Sequence, residues 1–187
     1  TWVITMYQDS ILPPDTIKEY RLQAEHEEQL GIICPQVIDS RRKYMIPKTE
    51  PQKEFVEFCI TSASCTSIKV WRKLGGFDER LFIDLVDNDF CKRLICSGYK
   101  ILKINTLILD QEFGKIIPKS PRTQRFWILM SKIFHNNNIA KFSYYKFVNP
   151  MRVYYTNRNI IYVNRKLKNY GSVAYQENYN CKGYLGF

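Results

Sequence analysis

No stretch of this chain approaches the roughly 20 consecutive apolar residues that a bilayer-spanning helix needs, so a transmembrane helix is not expected. The first residues lack a basic region followed by a small-residue cleavage site, and no secretory leader is read there. None of the six cysteines (Cys34, Cys59, Cys65, Cys91, Cys96 and Cys181) forms a CxxC pair, and several lie in apolar runs. A zinc site or a disulfide framework is therefore disfavoured, and reduced, mostly buried thiols of a cytosolic protein are expected. No internal repeat or low-complexity segment is present, and no nucleic-acid-binding motif is recognised. Most informative is the absence of acid from one region: residues 115–168 hold 12 Lys and Arg and not one Asp or Glu.

What is present fits one domain of 187 residues with an ordinary hydrophobic content of 45% and abundant aromatics, 13 Tyr and 11 Phe among them. Residues 1–114 carry 15 Lys and Arg against 17 Asp and Glu, a net of −2, so the total charge of +10 is concentrated in the later part. A wholly basic stretch interleaved with Trp, Phe and Tyr suits a polyanionic partner. An anionic membrane surface is the expected one, and nucleic acid is not expected. A solvated basic face without a fixed partner is the plain alternative.

The hydrophobic pattern predicts a mixed α/β fold with a basic helical tail. Strands are expected at 2–6, 31–39, 54–60, 65–70 and 99–109, with a charged, proline-containing loop over 40–53. Helices are expected at 14–30, with Pro14 at its start and Gly31 as its terminator, at 84–97, closed by Gly98, and at 150–167, opened by Pro150. A short helical turn is read over 71–74, ended by Gly75 and Gly76.

Three polar clusters carry candidate chemistry. Gln8, Asp9 and Ser10 follow the first strand, at a position where open α/β sheets place ligand-binding groups. Asp78, Glu79, Asp84, Asp87, Asp89 and Arg93 surround the start of the second long helix. Spacing of three would set Asp84 and Asp87 on one helical side if the turn had already begun. Such acids cap a helix N-terminus, but capping needs one acid, and a carboxylate near a hydroxyl can act as general base. Asp110, Gln111 and Glu112 form the third cluster.

On these residues the chain resembles a family 2 glycosyltransferase of the GT-A fold, in its rhamnosyltransferase-like branch. That branch shows a strand ending Asp-Gln-Asp-Ser, aligned with Tyr7 to Ser10, and a Gly-x-Ile-x-Pro-x-Ile-x-Asp strand, aligned with 31–39. Its Ile-Thr-Ser-Gly-Ser aligns with 60–64, and its Gly-Gly-Phe-Asp-Glu-x-Leu-Phe-Ile-Asp-x-Val-Asp segment with the stretch from Gly75 through Arg93. Its Arg-x-Tyr-Tyr-x-x-Arg-Asn aligns with Arg152, Tyr154, Tyr155, Arg158 and Asn159. The resemblance implies transfer of a sugar, rhamnose or another hexose, from a nucleotide-sugar donor to a glycan or lipid-linked acceptor in surface polysaccharide synthesis, with inversion. Asp87 is implied as the catalytic base and Asp9 as ligand of a divalent cation, Mg²⁺ or Mn²⁺, with Gln111 a weaker second ligand. Tyr7, Gln8, Asp9 and Ser10 are implied at the donor, and Asp78, Glu79, Asp84, Asp89 and Arg93 at the acceptor.

The chain is read as residues 1–114, the metal and acceptor part of a GT-A domain whose nucleotide-binding strands would precede residue 1, and a basic aromatic extension over 115–187. Trp127, Arg152, Tyr154, Tyr155 and Arg158 are expected to contact lipid, which places the protein peripherally on the inner face of the cell membrane. The family pattern is altered at three points: Tyr7 replaces its first Asp, Gln111 replaces a His, and Ala63 replaces a Gly. Those changes support an alternative, a degenerate non-catalytic relative that binds a glycan, a lipid or a partner enzyme.

Overall fold

The computed structural model describes residues 1–8, 10–27, 29–147 and 149–168. Asp9, Cys181 and the 169–187 end of the expected extension lie outside the described residues. A five-stranded mixed sheet forms the centre, in the order β1 (Trp2–Thr5), β4 (Ser64–Ser67), β2 (Leu30–Ile38), β5 (Lys100–Asp110), β3 (Lys53–Val56). Only β2 and β5 run parallel; the other neighbouring pairs are antiparallel. The two parallel strands are the most apolar, as strands covered on both faces must be.

Alternation along β2 sorts the core into two layers. Ile32 and Cys34, with Ile101 of β5, face helix α3 (Val86–Cys96) through Phe90, Cys91 and Leu94. Ile33, with Leu102 and Ile104, faces the opposite way, in the layer that holds Tyr20 of helix α1 (Thr16–His26). Cys34, Cys59, Cys65 and Cys91 are buried free thiols, and Cys96 is exposed. The Cys34 and Cys59 thiols packed beside Cys59 and Cys91 respectively, together with burial, push both of those groups well above the ordinary thiol range, so they stay protonated.

Several expected boundaries move, each for a physical reason. Helix α1 ends at His26 because Gln29 takes a left-handed turn (φ 61°) and Leu30 already pairs with Lys100. Gly31 is therefore no helix terminator but a strand residue; a Cβ there would lie 2.6 Å from Leu94 Cδ1, so glycine admits the close approach of α3. The strand expected over 54–60 stops at Val56, and that expected over 65–70 stops at Ser67. There the Ser67 hydroxyl accepts from the Val70 N–H and opens helix α2 (Ile68–Lys73).

The basic stretch is not purely helical. Strands β6 (Lys115–Pro118) and β7 (Tyr144–Phe147) pair antiparallel, and helices α4 (Pro121–Ile133) and α5 (Asn137–Ala140) lie between them. Ser120 caps α4 ahead of Pro121, the same device that Asn149 and Pro150 provide for α6 (Pro150–Lys166). Helix α6 docks on the segment before α3 through a cluster of Leu81, Val163 and Leu167. Among the described residues no helix is long and apolar enough to cross a membrane.

Candidate active site

The turn at Thr61, Ser62 and Ala63, just before β4, meets Tyr7 and Ser10. Thr5 Oγ1 donates to the Thr61 carbonyl at 2.5 Å, and Tyr20 Oη donates to the Ala63 carbonyl at 2.8 Å. The Tyr7 N–H donates to Ser62 Oγ at 3.4 Å, and Ser10 Oγ lies 3.1 Å from the same hydroxyl. Tyr7 Oη is 3.4 Å from Thr61 Oγ1. Ala63 adopts φ 57°, the left-handed conformation that favours glycine, and is fully buried.

Asp87 approaches this turn from the first turn of α3. Its carboxylate faces Thr61, whose hydroxyl and N–H favour the charged form. It lines a small cleft with Thr61, Ser64 and Thr66 on the polar side and Phe77 and Phe90 on the apolar side. Burial raises the Asp87 pKa and the nearby Asp84 charge adds to that, against the opposing effect of the Thr61 hydroxyl and N–H. The result is a carboxylate of increased basicity, set at the wall of a cleft.

Asp84 is not on the helix with Asp87. It and Leu85 take consecutive left-handed conformations, φ 62° and 65°. Non-glycine residues held there store backbone strain of about 1–3 kcal/mol each, and something must over-determine them. Helix α6 does so with a polar stripe spaced i, i+4, i+7. Arg152 forks onto the Asp84 carboxylate (2.6–3.1 Å), Thr156 Oγ1 donates to it at 2.6 Å, and Asn159 Nδ2 donates to the carbonyls of Ile83 and Asp84 at 2.7 and 3.0 Å. Arg158 donates to the Arg80 carbonyl at 2.6 Å, and its guanidinium sits 4.7 Å from the Tyr155 ring centre. The two arginines expected at a lipid surface thus engage the loop that leads into Asp87. Tyr154 and Tyr155 pack edge to face, and Trp127 lies apart from them on α4.

Three residues expected near the acceptor instead join elements. Asp89 is fully buried; Arg93 Nε and Nη2 donate to its Oδ2 at 2.9 and 2.7 Å, and Lys166 Nζ stands 2.7 Å from Oδ1 in an ion-pair contact. Lys166 also donates to Asp78 at 2.6 Å, and Tyr162 Oη does so at 2.8 Å. Burial alone would raise the Asp78 pKa, but Lys166, Tyr162 and the Arg80 N–H together outweigh it and hold it at about 2. Gln8 and Glu79 are exposed surface side chains.

Gln111 lies at the end of β5, its N–H donating to the Ile38 carbonyl at 2.8 Å, while its buried Oε1 has no hydrogen-bond partner. Beside it, Asp39 accepts from Arg41 Nε at 2.8 Å, Arg42 Nε at 2.9 Å and the Phe113 N–H at 3.0 Å. Burial works against ionisation of Asp39, yet those donors hold it well below the usual carboxylate range. This clasp ties the ends of β2 and β5 together. Among the described residues no group of three or more His, Cys, Asp or Glu side chains could hold a metal ion; Asp9, the expected ligand, lies outside them, and Tyr7 Oη is 3.4 Å from Thr61 Oγ1.

Thr61, Thr156, Asn159 and Lys166 carry much of this arrangement and were not singled out as site residues by the sequence pattern. A polar stripe running from Arg152 through Thr156 and Asn159 on α6 is the signal that could have revealed two of them. Comparison with family models, with curated proteins and with solved structures finds no match to this chain.

Proposed function

We propose that this chain serves sugar transfer from a nucleotide-sugar donor to a glycan or lipid-linked acceptor in a GT-A-like site, with Asp87 as the general base. The observation that carries the reading is Asp87 at the wall of a small cleft beside Thr61, made more basic by burial, with Tyr7 and Ser10 meeting the same 61–63 turn. In this reading the acceptor hydroxyl gives its proton to Asp87 while its oxygen bonds to the anomeric carbon. The bond from that carbon to the diphosphate oxygen breaks, its electron pair leaves with the nucleoside diphosphate, and the configuration inverts. Asp84, Asp89, Arg93, Arg152 and Asn159 act as positioning residues, since they hold the loop and helix that present Asp87. No step is assigned to a cation.

The test is nucleoside diphosphate release from a panel of UDP-, GDP- and dTDP-hexoses, with and without polysaccharide acceptor. Asp87→Asn should lose about 10²–10⁴ in rate while keeping the shape of the side chain. Melting supplies an independent readout. Because the fold raises the Asp87 pKa, the folded chain binds this proton more tightly than the unfolded chain. The associated stability is present below the unfolded carboxylate value and is lost as pH rises through the folded one. At neutral pH Asp87 therefore costs stability, and Asp87→Asn should melt above wild type. A variant that turns over at the wild-type rate would refute the base assignment. Nucleotide-sugar or glycan binding without any turnover in wild type would favour a second reading, a non-catalytic binding relative, which the Tyr7–Thr61 contact supports.

A further inference from the structure

Helix α4 is built inside out. Its buried positions are polar: Gln124 donates to the Lys119 carbonyl at 2.7 Å, and Ser131 donates to the Ile128 carbonyl at 2.7 Å. Its exposed positions are apolar: Phe126, Leu129 and Ile133 are 54%, 56% and 57% exposed, and Phe134 at its end is 62% exposed. Phe126, Leu129 and Ile133 follow one another at i, i+3 and i+7, so they form one stripe. Trp127 extends it sideways, with ring centres 5.2 Å from Phe126 and 5.3 Å from Phe142, which is itself 57% exposed. Arg122, Arg125 and Lys132 stand exposed on the same helix, Lys141 follows, and no acid occurs anywhere in 115–168.

A contiguous apolar face of this kind on a surface helix marks an interaction site. Its charge selects the partner. A helix with aliphatic and aromatic residues along one stripe, cations beside them and no carboxylate within residues 115–168 matches an interfacial amphipathic helix. Long basic side chains can lie along the apolar layer and still reach phosphate. We infer that α4 lies on the surface of an anionic lipid bilayer, with Phe126, Leu129, Ile133 and Phe134 below the headgroups and Arg122, Arg125 and Lys132 at the level of the phosphates. This inference stands apart from the sugar-transfer reading, since none of these residues touches the Asp87 cleft. It also moves the lipid contact from the arginines of α6, which grip the 80–84 loop, to α4.

Co-sedimentation of the full chain with phosphatidylcholine vesicles, with and without phosphatidylserine, tests it. Partitioning should require phosphatidylserine and weaken as salt rises. Phe126→Ser with Leu129→Ser and Ile133→Ser leaves the charge unchanged and should lower partitioning at least about tenfold. Arg122→Gln and Lys132→Gln should each lower it about fivefold. Ile161→Ser on α6, equally exposed at 55%, is the control and should bind as wild type. Far-UV circular dichroism confirms that each variant is folded. Equal pelleting with neutral vesicles, wild-type partitioning by the triple serine variant, or the same loss in Ile161→Ser would overturn the inference. Salt-sensitive retention of poly(U) RNA by a chain that ignores the vesicles would overturn it in favour of a nucleic-acid surface.

Discussion

Replacing Asp89 with alanine removes a fully buried carboxylate that faces cations from two elements, Arg93 on its own helix and Lys166 on α6. Taking one member from a buried ion pair costs about 3–5 kcal/mol, because the charge left behind is uncompensated. Here the remaining cations have partial relief. Arg93 keeps its bonds to the carbonyls of Leu74 and Gly76 at 2.6 and 2.8 Å, and Lys166 keeps Asp78 at 2.6 Å. Their side chains are 14% and 27% exposed, so some rehydration is open to them. The lower end, about 3 kcal/mol, is therefore expected. For a chain of this length that corresponds to a fall in melting temperature of about 6–12 °C. Asp89→Asn keeps an acceptor for Arg93 and should lose less. The double variant Asp89→Ala with Lys166→Met should lose less than the sum of the two single losses, with a coupling of about 0.5–3 kcal/mol. The assay is thermal and urea unfolding of the four variants. A fall of less than about 2 °C for Asp89→Ala, or strict additivity in the double variant, would refute the reasoning and show that the Asp89–Lys166 contact does not help hold α6.

Two further outcomes follow from the same geometry. Asp78 has its pKa lowered to about 2, so its stabilising contribution is fully present above the ordinary carboxylate value of 3.8 and is lost as pH falls toward 2; Asp78→Asn should remove about 2 kcal/mol of neutral-pH stability and flatten the acid limb of a melting-temperature profile between pH 4 and 2, and an unchanged limb would show that the Lys166 and Tyr162 contacts contribute nothing. Ala63→Gly relieves a left-handed alanine, worth about 1–2 kcal/mol, but exposes a gap where a buried methyl stood, worth about 0.8 kcal/mol; the variant should melt at or slightly above wild type, and a clear loss of stability would mean that packing of the methyl outweighs the backbone strain.

Local pattern determined a good deal of this protein. The apolar runs of β2 and β5, the amphipathic period of α3, and the Asn149–Pro150 start of α6 were all legible, because each depends on residues within one or two turns or on a two-residue alternation. The strands over 54–60 and 65–70 and the helix end at 30 were misplaced, because the deciding factor is a partner: Leu102 and Ile104 opposite β3, Trp2 opposite Ser67 at the end of β4, and Leu94 against Gly31. The clustered acids between 78 and 89 read as one chemical group in the sequence. Only tertiary structure separates them, by sending Asp78 and Asp89 to Lys166, Asp84 to Arg152 and Thr156, and Asp87 to Thr61. Their partners lie 26 to more than 60 residues away, and no periodicity in the chain encodes a contact of that range. The absence of acid from 115–168 was visible from the outset; that α4 turns its polar side inward and its apolar side to solvent was decided by what the rest of the fold packs against it.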